Sequence, residues 1–224
     1  MKGLVPIQAI LLGGFIAGVG LGSSGCQNGS PLKARVAPYR PQNVVTNTVA
    51  LRYDLQRVLV LPVHFDGEFA SRPDMQDLIS QTLERELIKR GAFEPIMIDR
   101  SELQRVTGTA SVRFDRPLPD TFLSALKEAF SSQGYLFVMV DHFQPYPPLT
   151  VAWRMKLVDS ENLATIWEID ELFDSGHVAV AEAAREHYGT HQSGGAQRDE
   201  RLVLHSPRRF VQYTSAAVLQ TLPY

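Results

Sequence analysis

The sequence predicts an α/β (α+β) fold, a single mixed β-sheet of about five strands with helices packed on it. Three observations carry this. Residues 57–64 and 135–140 are nearly continuous apolar runs, the pattern of strands covered on both faces. Between them lie stretches with apolar residues at helical spacing, each followed by glycine. Residues 150–158 then alternate, with Val151, Trp153, Met155 and Leu157 on one side, and 164–169 follow as the antiparallel partner of a meander. The expected order is β-α-β-α-β-β-β-α-α.

Each element has a local reason. After the first strand, Asp66-Gly67 is turn material and Pro73-Asp74 opens a helix with proline in its first turn. Met75, Leu78, Ile79, Leu83 and Leu87 form one stripe of that helix, and Gly91 ends it. Residues 93–98 read as the second strand, and Asp99 or Ser101 caps a short helix. Beyond Pro117 and Pro119, residues 120–133 carry Phe122, Leu123, Leu126, Ala129 and Phe130 on one face, and Gly134 stops the helix. Residues 178–188 are alanine-rich and helical, 189–197 read as a loop, and Ser206-Pro207 starts a final helix.

The termini and totals speak to place. Met1-Lys2 is a short positive start, and residues 7–22 form an apolar stretch of about 16 residues, a signal core in length and short for a membrane span. Ser23-Ser24-Gly25 then precede Cys26, the only cysteine in the chain. A lone cysteine in an exported protein is an intermolecular bridge, a free thiol or a modified residue. Here the arrangement resembles a lipobox, in which small residues precede a cysteine that is acylated and becomes the new amino terminus. Ser23 departs from that pattern, which carries an aliphatic residue three positions before the cysteine. An ordinary secretory signal or an uncleaved anchor is the alternative.

The expected organisation is a signal peptide over 1–25, a flexible tether over 26–50 after lipidated Cys26, and a single α/β domain with carboxy-terminal helices over 51–224. Two or three acyl chains on one residue anchor stably. Gln27, in place of an aspartate, resembles the outer-membrane default of lipoprotein sorting. The expected location is therefore the outer membrane, facing the periplasm. With 22 basic and 24 acidic residues and a net charge of -2, nothing resembles a nucleic-acid binder.

Val58 to Pro62, Leu83 to Leu87, Gly91-Ala92-Phe93, Ile96 to Ile98, and Asp99-Arg100 with Leu103 follow a pattern seen elsewhere. It resembles a group of envelope domains that includes the amino-terminal domain of TolB, the curli secretion lipoprotein CsgG, the penicillin-binding-protein activator LpoB and the flagellar lipoprotein FlgO. The resemblance spans about residues 56 to 175. It implies action by protein contact or by oligomerisation, brings no catalytic residue with it, and leaves the task open because one fold hosts many. No long membrane-inserting hairpins like those of the curli protein are evident, so a pore is not expected.

The loop from Phe143 to Leu149 sets aromatics among prolines, which suits partner contact, with Phe143, Tyr146, Pro147 and Pro148 as its residues. Its alternative is a stiff turn with Tyr146 folded back. His187 and His191, four apart with Glu182 and Glu186 nearby, are weak metal candidates, because Gly189 lies between them and surface histidines are commoner. Glu168, Asp170, Glu171 and Asp174 read as solvent-facing charges of an edge strand, and Asp141-His142 as a charged strand end. No nucleophile elbow and no phosphate-binding glycine loop occurs in the sequence.

The expectation is thus a non-enzymatic accessory or structural component of a larger envelope assembly, of the secretion, flagellar-ring or cell-wall-synthase type. No cofactor is expected. Its partners are the membrane, through lipid, envelope proteins, and possible copies of itself. The competing class is an exported enzyme or a small-ligand or metal-binding lipoprotein using a pocket on the sheet.

Overall fold

The computed structural model describes residues 39–50, 55–119, 121–191 and 202–224. Cys26, the export segment and most of the expected loop 189–197 lie outside the described residues. Seven strands form one mixed sheet: β1 (Val44–Thr46), β2 (Arg57–Val60), β3 (His64–Phe65), β4 (Glu94–Met97), β5 (Gly134–Gln144), β6 (Thr150–Asp159) and β7 (Thr165–Asp174). Their order is β1-β7-β6-β5-β2-β4, and β3 pairs β5 beyond the end of β2. β2 runs parallel to β4 and β5, whereas β5, β6, β7 and β1 are successively antiparallel. Helices α1 (Pro73–Arg90), α2 (Arg100–Thr107), α3 (Phe122–Ala129), α4 (Val178–His191) and α5 (Pro207–Leu219) pack on it.

Local signals set the helix ends. Pro73 occupies the first turn of α1, and Gly91 closes it at φ 62 with its N–H on Leu87 O, a left-handed conformation that suits glycine. Asp99 caps α2 by accepting from Glu102 N–H at 2.8 Å. Ser206 does the same for α5, accepting from Arg209 N–H.

The inner face of the sheet, under α1, α4 and α5, holds the larger core: Leu136, Val138, Trp153, Met155, Trp167 and Ile169 meet Ile79, Leu83, Phe210 and Val218. Both tryptophans are fully buried. Each satisfies its indole N–H on a threonine of the carboxy-terminal segment, Trp153 on Thr214 Oγ1 at 3.0 Å and Trp167 on Thr221 Oγ1 at 3.1 Å. Thr214 lies in α5 and Thr221 in the turn just past its end, and they meet tryptophans of the adjacent strands β6 and β7. On the outer face, Leu59, Leu61, Tyr135 and Phe137 pack beneath Leu103, Phe122 and Leu126 of α2 and α3.

The mixed sheet and its helices match the expected class, with seven strands among the described residues where about five are expected. The run 57–64 is two strands, because Pro62 has no N–H to give and the ladder breaks around it, although Leu61 N–H still reaches Leu136 O at 3.0 Å. The segment expected as flexible tether holds β1, which pairs residue for residue with Trp167, Glu168 and Ile169. That corrects the tether assignment for residues 39–46. The expected helix 120–133 ends at Ala129, and Gln133 instead turns its side-chain oxygen to the N–H groups of Gln56 and Arg57, at 2.6 and 3.1 Å.

Candidate interaction surface

The outer face of the sheet is divided. Helices α2 and α3 cover β2, β4 and the first half of β5, and their core reaches β6 only at Val158. Beyond it the antiparallel half carries polar residues in cross-strand rows, as a sheet with one solvated face does. Lys156 meets Glu168 at 3.1 Å and Arg154 meets Asp170 at 3.7 Å. Two large apolar side chains stand among these pairs, Val45 at 62 % exposure and Leu172 at 57 %.

One edge of this open half is crossed by a strap, residues 111–116. Arg113 grips Asp115 with two bonds of 3.0 and 2.8 Å and also binds Asp66 in the turn after β3. Arg154 continues the chain of charges to Asp141 at 2.9 Å and Asp115 at 3.6 Å. Phe114, between them, stands edge-on to Phe137 at 6.0 Å and takes the cationic groups of Arg154 and Lys156 over its ring at 5.7 and 5.1 Å. His64 Nδ1 lies 2.7 Å from Ser111 Oγ.

The electrostatics follow from these contacts. Hydrogen bonds from Arg113 hold the Asp115 carboxyl down at about 2 and also lower that of Asp66. Burial raises Asp141 against the pull of Arg154, and burial, helped by Arg113, lowers His64. Asp141 sits at a β-bulge between Val140 and His142, inside β5 and not at its end. The net is an arrangement of matched charges that pins a strap.

The bulge also decides the fate of the proline-rich loop. It turns Phe143 inward, where it is 5 % exposed and part of the core, so Phe143 is corrected from contact residue to core residue. Tyr146 is 67 % exposed and does not fold back, and Pro147 and Pro148, joined by a cis peptide, are exposed beside it. Gln144 Nε2 donates to Pro148 O at 2.7 Å and Tyr146 O at 3.2 Å, and Leu149 is buried beneath, so the tip is held from inside.

The acidic run of β7 is occupied structurally. Glu168 and Asp170 take the cations above. Glu171 accepts from the Tyr39 hydroxyl and from the N–H groups of Gln42 and Asn43 at 2.9 and 3.0 Å. Asp174 Oδ1 accepts from Gly176 N–H at 2.7 Å. Burial and the Glu171 contact together raise Tyr39 above the usual phenol range. His187 is half buried, its ring edge-on to Tyr188 at 5.2 Å and Tyr213 at 5.8 Å, while the His191 side chain lies outside the described residues. Glu182 pairs with Arg185 at 2.6 Å. Among the described residues no group of three or more His, Cys, Asp or Glu is placed to hold a metal.

A groove of about 660 Å³ opens between α1 and α2 at the carboxyl ends of β2 and β4, where α/β sheets commonly receive ligands. Asp77, Glu84, Asp99 and Glu102 line it with Arg100, whose guanidinium already donates to Val63 O at 3.2 Å and Gln76 Oε1 at 3.1 Å.

Arg113, Arg154 and Tyr39, which clasps Glu171, are organising residues that the sequence left unmarked. Their only trace in the sequence is an Arg-x-Asp in a proline-flanked loop and an alternation in which polar positions carry opposite charges on adjacent strands.

No family model matches the chain, and no curated protein matches it. Solved structures that resemble it include a PelC dodecamer from Paraburkholderia phytofirmans, at 11% identity over 77% of this chain and 95% of that one, with a TM-score of 0.39. Lipoprotein GNA1162 from Neisseria meningitidis matches at 15% identity over 53% of this chain and 79% of that one, TM-score 0.35. The LpoB C-terminal domain from Salmonella enterica matches at 15% identity over 53% and 82%, TM-score 0.34. LpoB is one of the proteins whose pattern the sequence resembles. At these identities and scores the likenesses carry no argument about what this chain binds.

Proposed function

We propose that this chain is a lipid-anchored, non-enzymatic envelope protein, an accessory or structural component that works by protein contact. Its anchor is Cys26, its location the outer membrane facing the periplasm, and its contact surface the open half of the sheet. One observation carries this reading. The outer faces of β6, β7 and β1 present Leu172 and Val45 between ion pairs that are already matched, a surface with apolar anchors and a polar surround. The carboxylates that acid–base chemistry would use are held by arginines or by backbone N–H groups.

The test is isolation of the tagged full chain from its native membranes, with and without substitution. Cys26→Ala is expected to abolish fatty-acid labelling and release the chain from the membrane fraction. Leu172→Arg is expected to keep anchorage and fold but to lose the co-isolated envelope proteins. Unchanged partners with Leu172→Arg would remove the sheet face from the proposal, and membrane retention of Cys26→Ala would remove the anchor.

A further inference from the structure

Where the amino-terminal segment meets the domain fixes more than a boundary. The Tyr39 ring packs on Phe173 and His177, with centroids 5.5 and 6.5 Å apart, and its hydroxyl binds Glu171. From there β1 runs away, antiparallel to β7. A tether coming from Cys26 therefore reaches the domain at the pole where β7 ends.

The β5–β6 tip lies at the same pole. Thr150 stands opposite Asp174 in the ladder, and two hydrogen bonds stitch the strand ends together, Ser175 N–H to Leu149 O at 2.8 Å and Leu149 N–H to Ser175 Oγ at 2.7 Å. Tyr146 and Val178, the latter 62 % exposed, project from this pole. Arg72, which shares Asp74 at 3.3 Å, stands beside the Tyr146 hydroxyl. Residues 27–39 can span at most about 45 Å, so an acylated Cys26 holds this pole within that distance of the bilayer.

The geometry points to this pole as a second membrane contact: Tyr146 and its flanking prolines rest among the headgroups of the phospholipid surface that holds the anchor. The inference builds on the lipid-anchor reading above. An exposed tyrosine with an apolar ring and a wet hydroxyl is the side chain that bilayer interfaces favour, and a guanidinium beside it suits phosphate. Such a contact would be too weak to recruit a free protein. On a chain already tethered it is intramolecular, and a modest contact then suffices to set orientation. The strands of the sheet run from this pole to the other, so the domain stands upright and shows its open sheet face sideways to partners in the same membrane.

Two tryptophan variants of the full chain test this, Tyr146→Trp at the tip and Leu163→Trp in the β6–β7 turn at the far pole, where Leu163 is 50 % exposed. Both are reconstituted in vesicles of phosphatidylethanolamine and phosphatidylglycerol that carry a headgroup spin label. Trp153 and Trp167 are buried and give a constant background. In protein that floats with the vesicles and carries fatty acid on Cys26, Tyr146→Trp is expected to be quenched several-fold more strongly than Leu163→Trp. Equal quenching, or none, in such floating protein overturns the inference and leaves the tip to a protein partner, with the anchor intact. Protein that does not float, or whose Cys26 is unacylated, overturns the anchor reading and this inference with it.

Discussion

Replacing Thr214 by valine keeps the shape of the side chain and removes one oxygen from a place that water does not reach. Trp153 and Thr214 are both fully buried, and the Thr214 hydroxyl accepts the indole N–H at 3.0 Å while donating to Val211 O at 3.1 Å. Thr214→Val strands the indole donor, and a buried donor without a partner costs about 1–3 kcal/mol. The methyl group gained is apolar and offsets part of that, so a net loss of about 1–2 kcal/mol is expected. For a domain of this size that lowers Tm by about 2–8 °C. Trp153→Phe removes the donor itself, and on that background Thr214→Val is expected to cost almost nothing. The coupling between the two positions is then about 1–2 kcal/mol in a double-mutant cycle. Urea unfolding followed by circular dichroism reads all four proteins without relying on tryptophan emission. If Thr214→Val stays within about 0.5 kcal/mol of the parent, or costs the same on both backgrounds, the bond does not key α5 to the sheet.

Three further outcomes follow from the same structure. Leu103→Ala empties a fully buried site in the smaller core and is expected to cost about 2–5 kcal/mol in denaturant unfolding; a loss below that range would mean that α2 is not needed to cover the sheet. Gly91→Ala forces a side chain into the left-handed region at φ 62 and should cost about 1 kcal/mol, measured by thermal unfolding, with no loss if the α1 terminus relaxes. Asp115, held at about 2 by Arg113, gives up protons more readily folded than unfolded, where its carboxyl titrates near 3.8. Its contribution to stability is therefore full above the unfolded value and fades as pH falls from about 4 towards 2. Arg113→Met should return the Asp115 titration to the ordinary carboxylate range in a carbon-detected NMR experiment, and an unmoved titration would show that the strap is not held by this pair.

Much of the architecture was legible because it rests on local rules. Pro73, Gly91, Asp99 and Ser206 mark helix ends through backbone geometry and orphan N–H groups, and they act in the structure as they read in the sequence. The runs of β2 and β5 are apolar because both faces are covered. What escaped was set by contacts distant in the chain. β1 carries only three residues among prolines, and the stretch of β7 that it pairs with lies more than a hundred positions away. The bulge at Asp141 reverses which residues face inward, and a reading of alternation that misses it places Phe143 outside. The same holds for the candidate surface: Tyr146, Pro147 and Pro148 sit in a turn that sequence marks plainly, while Arg154 and Leu172 acquire meaning only from cross-strand neighbours and Arg113 only from its contact with Asp66.

The pairing of β1 with β7 also has a mechanical side. Tension along a lipid tether would act on Tyr39 and run down the axis of β1, because the strand leaves that pole lengthwise. Bonds between neighbouring strands then carry the load together, in shear, and cannot be peeled one at a time. Asn47 N–H to Ile166 O at 2.9 Å and Asp170 N–H to Asn43 O at 3.1 Å lie along that line, and Glu171 clamps the loaded end through Tyr39, Gln42 and Asn43. A partner pulling on the domain from the far pole would thus meet resistance from the joint before it disturbed either core.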